Sequence, residues 1–291
     1  MKTKLTGRLL LAIACSLLLY SCQKESSTDQ TAVTSEEAKM YADESAQADA
    51  AFDDVEDISM IAAEEEAIAS EGGRGTIIFP FAELRLRLGP CADITVTPND
   101  STYPKTITID FGEGCVCADG KFRKGKIVIH LTGPIRRPGS VMTITFVNFY
   151  LNRAHIEGTK IISNLSSNGD IKFTVQVVGG KVTFPSGRGY QYNSLKYVKQ
   201  VAGGNTRSIR DDVYTIQGGS NTQFNNGLTI HLETDTPLVK KVVCHWISDG
   251  KLRIRINTHR FLLDYGAPDN GVCDNKALLS WNGGQVLIVL P

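Results

Sequence analysis

Histidine is scarce and scattered in this chain, five residues among 291. None stands in the His-x-x-x-His spacing that puts two metal ligands on one helical face. No serine lies in a Gly-x-Ser-x-Gly elbow. Asp110-Phe111-Gly112 spells the magnesium-binding triplet of kinases, but neither a glycine-rich loop nor a catalytic loop accompanies it. No period of roughly 20–50 residues recurs, which argues against propellers and solenoids. Residues 9–19, apolar except for Ser16, fall short of the roughly 20 that a membrane-spanning helix needs. These absences point away from an enzyme and from a bound cofactor or metal.

What is present begins at the N-terminus. Lys2, Lys4 and Arg8 precede the short apolar run, and small Ser21 stands directly before Cys22. A charged start, a short apolar core and a small residue at the cut form the secretory pattern. Leu19-Tyr20-Ser21-Cys22 resembles the lipobox of bacterial lipoproteins, although Tyr20 is bulkier than the usual residue there. The resemblance implies cleavage after residue 21, a thioether-linked diacylglycerol and an acylated amine on Cys22, and attachment to a membrane of the cell envelope. Several acyl chains together hold firmly where one would not. Gln23-Lys24-Glu25 is similar to the charged signals that follow the lipidated cysteine in surface-exposed lipoproteins of the Bacteroidota. Nucleic acid is not an expected partner at such an address, and no protein partner can be named.

The balanced formal charge, 31 basic against 31 acidic residues, hides a split. Residues 23–72 hold 15 acidic and 2 basic residues, whereas residues 73–291 hold 16 acidic and 26 basic. Within the acidic part, residues 22–34 are polar and read as a flexible tether. Residues 35–72 read as an acidic amphipathic helix, with Ala48, Phe52, Val55, Ser59 and Ala62 at helical spacing. Residues 73–291 read as an antiparallel β domain. Ile107, Ile109 and Phe111 alternate with polar neighbours, as do Ile171 to Val177, Leu228 to Leu232 and Leu252 to Ile256. Period-two alternation buries one face of a sheet and wets the other. Gly179-Gly180, Asn226-Gly227, Asp249-Gly250 and Asn282-Gly283 supply hairpin-turn chemistry. The expected fold is all-β, a meander of eleven or twelve strands closed as a barrel or rolled as a half-open sheet, with the acidic helix covering a face or end. A β-sandwich is the alternative.

Five cysteines remain if Cys15 is removed and Cys22 lipidated. Pairing Cys91 with Cys115 and Cys244 with Cys273 is the economical connectivity, but Cys117 can replace Cys115, and sequence alone leaves the choice open. The Cys-x-Cys spacing at 115–117 is wrong for a zinc knuckle. Asp264, Asp269 and Asp274 lie in a turn-rich stretch that fits no calcium-loop rhythm. Lys121, Arg123 and Lys124, with Lys126, form a basic hairpin end suited to an anionic lipid or glycan. Tyr190 and Tyr192 share one strand face, opposite Tyr197, and as exposed rings would stack on sugars.

The segments KTITIDFGEGC, DGKFRKGKIVI, PGSVMTITFVNFYLN and IEGTKIISN, with DYGAPDNGVCDNKALLSWNG at the end, resemble a family of uncharacterised Bacteroidota envelope lipoproteins. The likeness runs from about Lys105 to Pro291. It implies a single domain and makes Cys115, Cys244 and Cys273 family features, with Cys117 a local departure; it brings no activity and no catalytic residue. The expected function is non-enzymatic: a lipid-anchored outer-membrane protein with a binding or structural role, holding an apolar ligand such as a lipid or lipoprotein inside a rolled sheet. Alternatives are a surface glycan-binding module, using Tyr190, Tyr192 and the basic hairpin, and a hydrolase acting on an envelope substrate.

Overall fold

The computed structural model describes residues 34–71, 81–204 and 209–290. The expected signal segment, Cys22 and all of the expected tether but Thr34 lie outside these. Two helices come first, α1 (Ser35–Glu71) and α2 (Ala82–Leu88), and then a 3-10 turn at Gly89–Cys91. The strands follow as β1 (Asp93–Thr97), β2 (Lys105–Asp110), β3 (Cys115–Val116), β4 (Phe122–Leu131), β5 (Val141–Leu151), β6 (Ala154–Asn164) and β7 (Lys172–Thr183). They continue as β8 (Gly189–Ala202), β9 (Val213–Phe224), β10 (Thr229–Lys241), β11 (Asp249–Ile256), β12 (His259–Asp264), β13 (Lys276–Trp281) and β14 (Gly284–Val289). Among the described residues no helix is long and apolar enough to cross a membrane.

All fourteen strands belong to one antiparallel sheet whose order follows the chain, with β3 set aside as a two-residue partner of β4. The sheet does not close, so it is the half-open form of the expected meander, neither a barrel nor a sandwich. The strand count exceeds the expected eleven or twelve partly because β3 is too short to show alternation. Helix α1 touches β4, β6 and β14, so distant parts of the sheet come round to one helix. A single apolar core results, with Phe52, Val55, Ile58 and Ala62 of α1 packed among inward residues such as Ile107, Ile127, Met142, Ile156 and Val177.

Two of the four expected turns are turns. Asn226-Gly227 joins β9 to β10, and Asn282-Gly283 joins β13 to β14. Gly179-Gly180 instead lies within β7, at a register shift against both β6 and β8. Asp249-Gly250 opens β11 opposite the bulged end of β10. Gly180 and Gly250 are there for close approach. A Cβ on Gly180 would lie 2.8 Å from the ring of Phe52 and 2.6 Å from the Tyr192 carbonyl oxygen. Phe52 stacks on Tyr192 at 5.1 Å between ring centres, so the missing side chain makes room for the helix anchor. Gly180→Ala is therefore expected to destabilise the fold by about 1–3 kcal/mol through overpacking, read as a lower urea midpoint at unchanged slope. An unchanged midpoint would show that α1 has room to shift.

Candidate ligand-binding site

The inward face of the sheet carries three fully buried cations. Lys105 on β2, Arg123 on β4 and Lys160 on β6 have side chains 0, 0 and 2% exposed. Each meets an acid of α1. Lys105 Nζ lies 3.0 Å from Glu66 Oε1, Arg123 Nη2 donates to Asp54 at 2.9 and 3.0 Å, and Lys160 Nζ lies 2.5 Å from Glu56 Oε2. Further acceptors complete the shells: the Pro98 and Asp100 carbonyls for Lys105, and the Phe52 carbonyl at 2.9 Å for Lys160. Glu65 accepts the Glu83 and Leu84 N–H groups at the start of α2, tying the two helices together.

This geometry corrects the basic-hairpin expectation. Arg123 is not a surface group but a buried clasp, held also by Asp119 at 2.9 and 2.7 Å. Lys121 reaches Asp54 at 2.6 Å, Lys124 pairs with Glu113 at 2.7 Å and Lys126 with Asp110 at 2.6 Å. The run of cations was legible in the sequence; its burial against α1 was not, because Asp54 lies 69 residues away from Arg123. The tyrosine expectation changes too. Tyr190 and Tyr192 are 3 and 1% exposed and face the core, while Tyr197 on the opposite face is the exposed one. Rings so placed pack against Phe184, Phe224 and Phe52, and present no open face to a glycan.

Space is left where α1 presents small side chains. Ala50 and Ala51 flank a cleft of about 290 Å³ toward β5–β8, walled by Leu151, Ile156, Val182, Phe184 and Tyr190, with Lys121 at its edge. Tyr190 and Lys121 thus share a cavity wall, while Arg123, Tyr192 and Lys124 do not line it. On the other side of α1 a cleft of about 310 Å³ opens toward β8–β11. Its walls are Ile216, Leu232, Leu238, Ile247, Leu252 and Tyr265, and Asp53 and Lys196 also line it, 3.9 Å apart. Gly218 and Gly219 add no bulk, and β10 bulges between Glu233 and Leu238, which keeps this side unfilled. Ser220 lines the same cleft. Its hydroxyl is buried without a hydrogen-bond partner among the described residues, a state that costs about 1–3 kcal/mol. No motif singles out Ser220, since its neighbours only spell an alternating strand.

The described cysteines pair as Cys91–Cys115 and Cys244–Cys273, with Cα separations of 5.8 and 5.4 Å. Cys117 is free and buried, its sulfur within 4.8 Å of both sulfurs of the first bridge. Burial pushes its thiol pKa up against the pull of Arg123. With two of the three sulfurs joined, the cluster has one thiol to offer a metal. In the acidic stretch, Asp264 pairs with Lys251, Asp269 with Lys276, and Asp274 accepts the Lys276 N–H, so the three carboxylates serve turns and ion pairs. His155 lies 3.6 Å from Glu157 on the outward face of β6 and lines neither cleft.

Burial on its own would raise the Asp119 carboxyl, but hydrogen bonds from Arg123 and from the Lys121 N–H outweigh it and hold the pKa at about 2, below the ordinary 3.8. A carboxyl depressed by folding stabilises the native state fully above its unfolded value and stops doing so as pH falls through the folded one. Native stability is therefore expected to drop between about pH 4 and pH 2, and Asp119→Asn to flatten that slope while lowering stability at neutral pH. Denaturation midpoints across this range check it, and parallel curves for the two proteins would refute it. No protein-family model, curated protein or solved structure matches this chain.

Proposed function

We propose that the protein is a non-enzymatic, lipid-anchored receptor or carrier of the cell envelope that takes an apolar chain bearing a polar group, such as an acyl lipid, into the trough between α1 and the sheet. The observation that carries this reading is the orphan Ser220 hydroxyl inside an apolar cleft of about 310 Å³. Ligand cavities are typically about 300 Å³ or more, mostly apolar, with a few placed polar groups. An apolar chain would replace water against Ile216, Leu232 and Leu252 while a carbonyl or hydroxyl of the ligand satisfied Ser220. The second cleft, across Ala50 and Ala51, offers room for a further chain. Attachment through Cys22, an outer-membrane address and membership of a Bacteroidota lipoprotein family belong to the same proposal, on the strength of the N-terminal motif and the quoted segments.

A fluorescent fatty acid titrated into the full chain should bind saturably. Leu252→Trp, which fills the cleft, should abolish that binding. Ser220→Ala should weaken it about fivefold, the worth of one hydrogen bond, and leave the melting temperature unchanged or raised because a buried hydroxyl is removed. Binding that survives Leu252→Trp intact would place the ligand elsewhere, and absence of saturable binding would end the carrier reading.

A further inference from the structure

Across the sheet from that cleft, the outer face of β9–β12 carries a charged groove. Leu232, Ile254 and Phe261 face the core. Alternation therefore turns Asn221, His231, Arg255 and Arg260 outward. They form one cross-strand row, because Asn221 is opposite His231, His231 opposite Arg255, and Arg255 opposite Arg260. The row lines a groove of about 840 Å³, with Gly219 beside it contributing no side chain. Of the other charges there, Arg253 is ion-paired to Asp235 and stands opposite Glu233. Arg255 and Arg260 have no carboxylate within ion-pair distance among the described residues.

Like charges directly opposite each other on neighbouring strands are destabilising, so this pair is an unbalanced element, unlike Lys121, Arg123, Lys124 and Lys126, each of which has an acid. The imidazole registers the imbalance: burial first, then Arg255, lowers the His231 pKa. The Asn221 side-chain oxygen lies within hydrogen-bond distance of His231 Nδ1. An amide oxygen only accepts, so in this contact Nδ1 carries the proton. The amide N–H groups of Asn221 add donors to the row. Guanidinium forks match phosphate oxygens in bidentate fashion. A single carboxylate would neutralise one guanidinium, whereas a phosphate monoester, with a charge of about −1.5 to −2, neutralises both.

We propose that Arg255 and Arg260, with Asn221 and His231 beside them, form a binding site for a phosphate monoester on the outer face of the sheet. The group can be carried by a soluble phosphorylated metabolite or by a lipid headgroup, and the same pair of arginines would grip either. The arginine row and the interior cleft use opposite faces of the same strands, and Gly218, Gly219, Ser220, Leu232 and Thr234 border both spaces.

Calorimetric titration of the full chain with glucose 6-phosphate, together with flotation on phosphatidylcholine vesicles with and without phosphatidic acid, tests this. Any lipid on Cys22 contributes equally to the proteins compared. Arg255→Gln/Arg260→Gln should lose affinity by about tenfold or more and melt no lower than the parent, because a repulsion is removed. Arg255→Lys/Arg260→Lys, which keeps the charge but not the forks, should lie between. Arg153→Gln, at the exposed β5–β6 turn, should bind as the parent does. Arginine-dependent binding to the sugar phosphate assigns a soluble ligand, and arginine-dependent flotation on phosphatidic acid alone assigns a lipid headgroup. No binding in either arm overturns the proposal. So does binding undiminished in the double glutamine variant, or an equal loss in Arg153→Gln, which would mark unspecific charge attraction.

Discussion

Lys105, Arg123 and Lys160 point from the sheet into its own core, and the rest of the architecture depends on what neutralises them. A buried charge stripped of its partner costs about 3–5 kcal/mol, so the three cannot be left bare beneath an apolar helix. Asp54 and Glu56 answer two of them from within one turn of α1, and Glu66 answers the third about three turns further on. Apolar packing alone would tolerate a helix slid by a turn or reversed in direction, since Val55, Ile58 and Ala62 fit many grooves. Three separately placed ion pairs do not. Register and direction of α1 are thus set electrostatically, while the adhesion comes from Phe52 and its apolar neighbours. Part of the charge split between α1 and the residues after it has the same origin, for Asp53, Asp54, Glu56, Asp57, Glu64 and Glu66 all pair with cations of that later stretch.

With α1 fixed in this way, the interior volume is fixed too. Phe52 is placed against Tyr192 and Gly180, so the smaller Ala50 and Ala51 fall where the trough is wide, and a cleft opens on each side of them. Rigid placement matters for binding, because a helix free to settle would close such spaces by relaxation, as cavity-creating substitutions partly do elsewhere. The orphan Ser220 hydroxyl persists for the same reason: the backbone that presents it is held by strands on both sides.

The alternation of Ile107-Thr108-Ile109 or Leu252 to Ile256 was enough to identify the antiparallel meander, because period two is a local property. Hairpins were legible only where the turn was the sole role of the dipeptide, as at Asn226-Gly227. Gly179-Gly180 has the same chemistry but answers a ring arriving from α1, a contact between residues more than a hundred positions apart. Tyr190 and Tyr192 shared a face as expected, yet which face was inward depended on Phe52. Arg123 looked like surface because Asp54, the acid of α1 that meets it in the core, is remote in the chain. An interior space was expected of a rolled sheet, but the place of the clefts was illegible, since they are made of what α1 fails to fill, and the outward arginine row emerged only once strands β9 to β12 were in register.

Strand order that follows chain order has a consequence for how the molecule is made. Nearly every strand pairing closes a short loop, so the sheet can zip hairpin by hairpin with little entropy lost at each step. The closures to α1 are of another kind: the bond from Lys160 to the Phe52 carbonyl spans 108 residues. A chain emerging N-terminus first presents the helix before the surface it needs exists, and a lone acidic segment with few large apolar residues has little reason to stay helical in water. Assembly of this protein is therefore a matter of timing, in which a helix synthesised before the sheet finds its place only after it.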